Sequence, residues 1–199
     1  LRCLQKSLAP SLDIKLFAGA IWDAPKNQAE IIFLAPATDK GNARVEAELM
    51  GACNALTPKG VAYFVMHKDQ GAKRYEKLAE TLFGEIEILD KENGWRLCKA
   101  VKKVDVLYEV TRLEFSTLEL KLRAEPGIYA AGKLDPGTAF LLESYDVTSI
   151  ANKKVLDIGC GYGLLSLKAA LAAAEVTALD DDLLAVRSTH ANAQQYGLD

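Results

Sequence analysis

Three glycines at alternate positions, Gly159, Gly161 and Gly163, follow an apolar run ending in Asp157, within the stretch "VLDIGCGYGLLSL" at 155–167. Such a loop lets a ligand touch backbone, because glycine carries no Cβ to block contact and accepts backbone angles closed to other residues. A second carboxylate, Asp180, ends the next apolar run, "EVTALD". It stands at the offset of about 20 residues where an acid reaches ribose hydroxyls in nucleotide-binding α/β units. The chemistry on offer is recognition of a nucleoside. A dinucleotide fingerprint requires glycine at the sixth position from Gly159, and that position is Leu164. An adenosine without a pyrophosphate therefore fits better. A merely tight strand-to-helix turn would explain the glycines and leave the spaced acid unexplained.

The surrounding pattern positions these residues. "KKVLDIG" reads as a strand, "LLSLKAALAAA" as a helix, "EVTALD" as a second strand and "DLLAVRSTHANAQQYG" as a second helix stopped by Gly197. That is part of a doubly wound parallel unit, in which ligands sit at the carboxyl ends of the strands. Upstream, Asp135-Pro136 has the form of an N-cap followed by proline in the first turn, predicting a helix from Pro136 to about Tyr145. Residues 105–125 alternate apolar and polar at Leu118, Leu120 and Leu122, which suits an edge strand or strand-like connector.

The first 105 residues also alternate strand and helix. "DIKLFA" (13–18), "AEIIFLA" (29–35) and "VAYFVMH" (61–67) read as strands, 42–56 and "AKRYEKLAETLFG" as helices, and "EIEILDKENGWRLCKAVK" as a hairpin turning at Asn93-Gly94. The whole is an α/β chain.

Composition sets outer limits. Half of the 199 residues are apolar, enough to bury a real core, yet no run approaches the length of a membrane span. A formal net charge of −3 excludes a broad basic surface, though not a local patch. Cys3, Cys53, Cys98 and Cys160 are scattered, so reduced thiols are expected and neither a metal site nor a disulfide framework is suggested. A cytoplasmic location follows as the expectation. The start at Leu1 and the stop at "YGLD" suggest a trimmed or partial polypeptide.

"VLDIGCGYG" with "VTALD" resembles the cofactor half of the class I S-adenosylmethionine-dependent methyltransferases. The resemblance implies that Gly159, Cys160, Gly161 and Gly163 border the methionine and ribose portions of S-adenosylmethionine. It implies too that Asp157 faces the ammonium group and that Asp180 accepts both ribose hydroxyls. Asp181 stands where many members carry an apolar residue beside the adenine. "PGIYAAGKLDPGTAFLLES" narrows the resemblance to the tandem-domain guanine-N2 methyltransferases of small-subunit ribosomal RNA, with Tyr129 and Thr138 as borders of the cofactor or target base. That family implies Rossmann-like methyltransferase layers in which a degenerate first domain (1–105) is joined by a connector (106–125) to the start of the cofactor-binding domain (126–199), apparently truncated. Its catalytic Asn-Pro-Pro motif stands nowhere in the chain, so the catalytic residues stay unassigned. The partner implied is ribosomal RNA or the small subunit, with no membrane and no metal. Two alternatives stay open: methylation of another target, such as a protein glutamine, and a non-catalytic RNA- or protein-binding module with a relic loop.

Overall fold

The computed structural model describes residues 14–198. Among the described residues, eight strands and five α-helices make up an α/β chain. The first part is a four-stranded sheet in the order β1 (Ala29–Leu34), β2 (Leu56–His67), β4 (Trp95–Lys102), β3 (Gly84–Glu92). Strands β1 and β2 are parallel, and the other pairings are antiparallel. The β3–β4 turn is the expected Asn93-Gly94 pair, with φ of 49° and 87°, which matches the twist of a hairpin.

Helices α1 (Asn42–Ala55) and α2 (Ala72–Phe83) bury Val45, Leu49 and Cys53 and Tyr75, Leu82 and Phe83. They meet Ala62, Phe64 and Met66 of β2 and Cys98 and Ala100 of β4 in one core. The period-3.6 stripe of each helix thus meets the period-2 face of the sheet. Gly84 ends α2 in the left-handed conformation that glycine supplies most easily.

Three expectations differ from the structure. Residues 14–18 form no strand: Ile14 and Phe17 are exposed and lack a sheet neighbour to reward extension. Asp13, which begins that stretch, and Cys3 lie outside the described residues. The strand expected at 61–67 starts earlier, because β2 begins at Leu56, directly after the helix, and carries Thr57–Gly60 as a bulge: Ala29 pairs with Leu56, then Ile31 with Val61. Residues 105–125 are not a single strand either. They contain a hairpin of β5 (Leu113–Thr117) and β6 (Leu120–Ala124), turning through Leu118 and Glu119 with φ of 47° and 67°. Neither turn residue is a glycine or asparagine, so the usual hairpin signal is missing.

Strand β6 places Leu120, Leu122 and Ala124 in a second core with Ile128, Tyr162, Leu164, Leu167 and Leu184. Around it lie α3 (Pro136–Ser144), the parallel pair β7 (Lys154–Ile158) and β8 (Glu175–Leu179), α4 (Leu164–Leu171) and α5 (Leu183–Gln195). The chain near its start joins the two cores: Ala20 and Trp22 pack into the second, and Ile21 against the first.

Beside this junction Glu125, only 3% exposed, receives Arg112 Nε at 2.8 Å and Arg187 Nη2 at 3.1 Å. Arg187 also pairs with Asp23. Removing the carboxylate leaves Arg112 without this partner and Arg187 with Asp23, both guanidiniums partly exposed, so the cost falls below that of a fully buried pair. Glu125→Ala is expected to lower stability by about 2 kcal/mol, read as a lower urea midpoint with an unchanged slope.

Candidate functional site

The glycine loop is stitched to the end of β8. Leu179 O accepts from Gly159 N at 2.8 Å and from Cys160 N at 3.0 Å. Asp180 follows directly, and its carboxylate is held from both sides: Gly161 N donates to Oδ2 and Asp182 N to Oδ1, each at 2.9 Å. These bonds fix the plane of the carboxylate, and each oxygen keeps acceptor capacity for a ligand hydroxyl.

The three glycines meet different demands. All have positive φ, but a Cβ built on Gly159 or Gly161 finds nothing within 4 Å. Space above the loop is therefore open to a ligand. At Gly163, with φ of 90°, a Cβ would lie 2.9 Å from Thr189 side-chain atoms and 3.0 Å from its Cα. Gly163 lets the start of α4 pack on α5.

Asp157, one residue before the end of β7, is half-buried and accepts from Ser166 Oγ at 2.5 Å. It lines a hollow of about 420 Å³ with Leu142, Tyr145, Leu156 and Lys168. Cys160 turns its thiol inward, 3.4 Å from Thr189 Oγ1, leaving its backbone toward the loop. Burial raises its pKa. Cys98 is pushed up to about 11 by burial, with the Glu76 charge adding, so neither thiol is poised as a nucleophile. Asp181 is exposed at the start of the turn into α5, while Asp182 caps that helix by accepting from Leu184 N at 2.9 Å.

Tyr129 and Thr138 converge on one carboxylate. Tyr129 is 79% exposed, yet its hydroxyl donates to Asp135 Oδ1 at 2.9 Å; Thr138 N donates to Oδ2 at 2.9 Å and its hydroxyl at 3.3 Å. The Thr138 backbone bond, then the Tyr129 bond, hold the Asp135 carboxyl below its ordinary 3.8. The same tyrosine bond and the Asp135 charge raise the Tyr129 phenol above 10.0. This turn is tied to the glycine loop by Tyr162, whose hydroxyl donates to Lys133 O at 3.0 Å.

Sequence reasoning missed Ser166, Thr189 and Asn192. Asn192 is 0% exposed; its Nδ2 donates to Tyr162 O and Arg123 O at 2.8 Å and its Oδ1 accepts from Arg123 N at 2.9 Å. Each missed residue acts across a distance in sequence that periodicity does not register. Its signal is a polar residue on the inward side of α4 or α5. Among the described residues no cluster of His, Cys, Asp and Glu could hold a metal, and no helix is long and apolar enough to cross a membrane.

The profile of the methyltransferase small domain family matches residues 119–199. Over 163 residues the chain is 32% identical to the ribosomal RNA small subunit methyltransferase C of Chromohalobacter salexigens, covering 80% of this chain and 49% of that protein. A shorter match, 40% over 82 residues, is to the ribosomal protein L11 methyltransferase of Prochlorococcus marinus, covering 41% of this chain and 27% of that protein. Among solved structures, a T. thermophilus 16S rRNA N2 methyltransferase in complex with AdoMet and guanosine superposes with a TM-score of 0.79 at 29% identity, over 90% of this chain and 51% of that one. The chain thus has the Rossmann-like layers of the class I S-adenosylmethionine-dependent methyltransferases, and its residues 119–199 match the methyltransferase small domain family. Within that class the chain is similar to the ribosomal RNA small subunit methyltransferases C, and it spans about half the length of the curated relatives it matches.

Two outcomes check the geometry. Gly163→Ala meets Thr189 in a left-handed backbone and is expected to cost about 2 kcal/mol, measured by urea unfolding, whereas Gly161→Ala costs less because its Cβ is unopposed. In Asp135→Asn the Tyr129 phenol loses a charged acceptor, so its ultraviolet titration moves to lower pH. The Asp135 carboxyl is depressed on folding, so the stability it contributes is present above 3.8 and is lost as pH falls through the lower folded value.

Proposed function

We propose that this chain carries the cofactor-binding part of an enzyme that transfers a methyl group from S-adenosylmethionine to the exocyclic N2 amine of a guanine in small-subunit ribosomal RNA. One observation supports this above the rest: open space over Gly159 and Gly161 lies beside a carboxylate, Asp180, already oriented by two backbone N–H groups. That arrangement suits a nucleoside whose two ribose hydroxyls donate to one acid.

The bound cofactor supplies a methyl group on a positive sulfur, a good leaving group. The chain's own residues bind and orient. Asp180 receives the ribose hydroxyls. Asp157, steadied by Ser166, faces the ammonium end. Backbone at Gly159, Cys160 and Gly161 borders the methionine and ribose portions, while Gly163 supports them through its packing on Thr189. Asp181 lies toward the adenine, and Tyr129 and Thr138 border the cofactor or target base. Fixing the reacting groups in line accounts for most of the acceleration such a reaction needs.

The domain division belongs to the same proposal: a first methyltransferase-like unit without a glycine loop at 1–105, a connecting region at 106–125 whose hairpin joins the second core, and a cofactor unit from 126 onward. Ribosomal RNA as substrate goes with a cytoplasmic location. The alternative of a protein target draws on a similarity confined to 82 residues, whereas the ribosomal RNA reading draws on 80% of the chain.

Calorimetric titration with S-adenosylmethionine and a methyl-label assay on small ribosomal subunits test the reading in the full-length protein. Asp180→Ala is expected to abolish both binding and transfer, and label should enter 16S RNA at a guanine. Label in protein, or an Asp180→Ala variant that binds and transfers like the unaltered protein, would overturn it.

A further inference from the structure

The first half of the chain reaches the residue whose backbone N–H orients the nucleoside acid. Lys40 ends a short 3-10 turn (Thr38–Lys40) at the carboxyl end of β1, and its Nζ lies 3.9 Å from Asp182 Oδ2. The turn that carries it is anchored. Lys40 N donates to Ala37 O at 3.0 Å, Ala37 N donates to Glu48 Oε2 at 2.9 Å, and Arg44 Nε holds the other Glu48 oxygen at 2.7 Å. Glu48 itself is buried on α1. The cation is thus presented from a fixed platform, on a half that also meets α5 through Asp23 and Arg187.

Its target is an unusual place. Asp180, Asp181 and Asp182 put three carboxylates in a row, and among the described residues Lys40 is the cation that ion-pairs with one of them. Asp182 does two things at once: its side chain caps α5, and its backbone N–H holds Asp180 Oδ1. Whatever steadies Asp182 steadies the nucleoside acid.

We propose that Lys40, from the first half of the chain, is a positioning residue of the nucleoside site, holding Asp182 so that its N–H orients Asp180. This rests on the cofactor reading given above. The first half is then part of the site and not only a neighbour to it. Lys40 and Asp182 side chains are 49% and 23% exposed, so the pair is modest and sensitive to salt.

The test uses the chain as it stands, with S-adenosylmethionine and S-adenosylhomocysteine as probes in calorimetric titrations of the unaltered chain, Lys40→Ala and Lys40→Arg. At low ionic strength Lys40→Ala is expected to bind both probes about threefold more weakly, the scale of an exposed ion pair. Lys40→Arg should restore binding. The difference should vanish near 1 M salt, where the screening length is about 3 Å. The ligand-free melting temperature should stay put, as a purely structural role would not predict. The two probes separate positioning from bulk charge: removing a cation would by charge alone tighten the positive sulfonium compound and leave the uncharged thioether unchanged. That pattern, or equal binding by Lys40→Ala and the unaltered chain, would overturn the assignment while leaving the cofactor reading intact. An unaltered chain that binds neither probe would overturn both.

Discussion

A single buried amide holds the second half of the molecule together. Asn192 lies on α5 with no exposure, and its three hydrogen bonds go to both backbone groups of Arg123 on β6 and to the carbonyl of Tyr162 in the glycine loop. A hydrophobic residue of similar size would leave the buried Tyr162 carbonyl and the partly buried backbone groups of Arg123 without this partner, each at a desolvation cost. Through Asn192 the hairpin, the loop and the last helix share one register. The position of the loop relative to Asp180 depends on that agreement, because α5 begins three residues after the acid.

Much of this was written in local sequence. The strand-loop-helix around Gly159, the N-cap Asp135, the Asn93-Gly94 turn and the apolar stripes of α1 and α2 each rest on residues within one or two turns of one another. Local propensity and burial agree there, so pattern suffices. The misread stretches share the opposite property. The Leu118-Glu119 turn takes positive φ without glycine or asparagine because pairing of Leu113 with Ala124 through Thr117 with Leu120 imposes it. The bulge at Thr57–Gly60 exists because β1 and β2 must share a register on either side of it.

The site divides in the same way. The glycines and Asp180 stand out by type and spacing, but the groups that aim them do not. Ser166 on Asp157 and Thr189 against Gly163 are ordinary polar residues of helices until the fold brings them in. Lys40 is 142 residues from Asp182 in sequence (182 minus 40). A residue that works by orienting another carries no signature of its own chemistry, and only its neighbours in space disclose it.

The contact between Gly127 and α1 bears on how such a chain can change over evolutionary time. A Cβ on Gly127 would lie 2.6 Å from Cβ of Arg44, and one on Gly51 would lie 2.8 Å from the backbone nitrogen of Trp22. At Gly127 the junction between the halves is one hydrogen atom wide on the glycine side, and at Gly51 the segment that bridges the two cores packs as closely on α1. Drift at either glycine is admissible only after the opposite surface has receded, and an exchange of the first half for that of a distant relative must bring a matching recess with it. The two halves are therefore expected to be inherited as a pair.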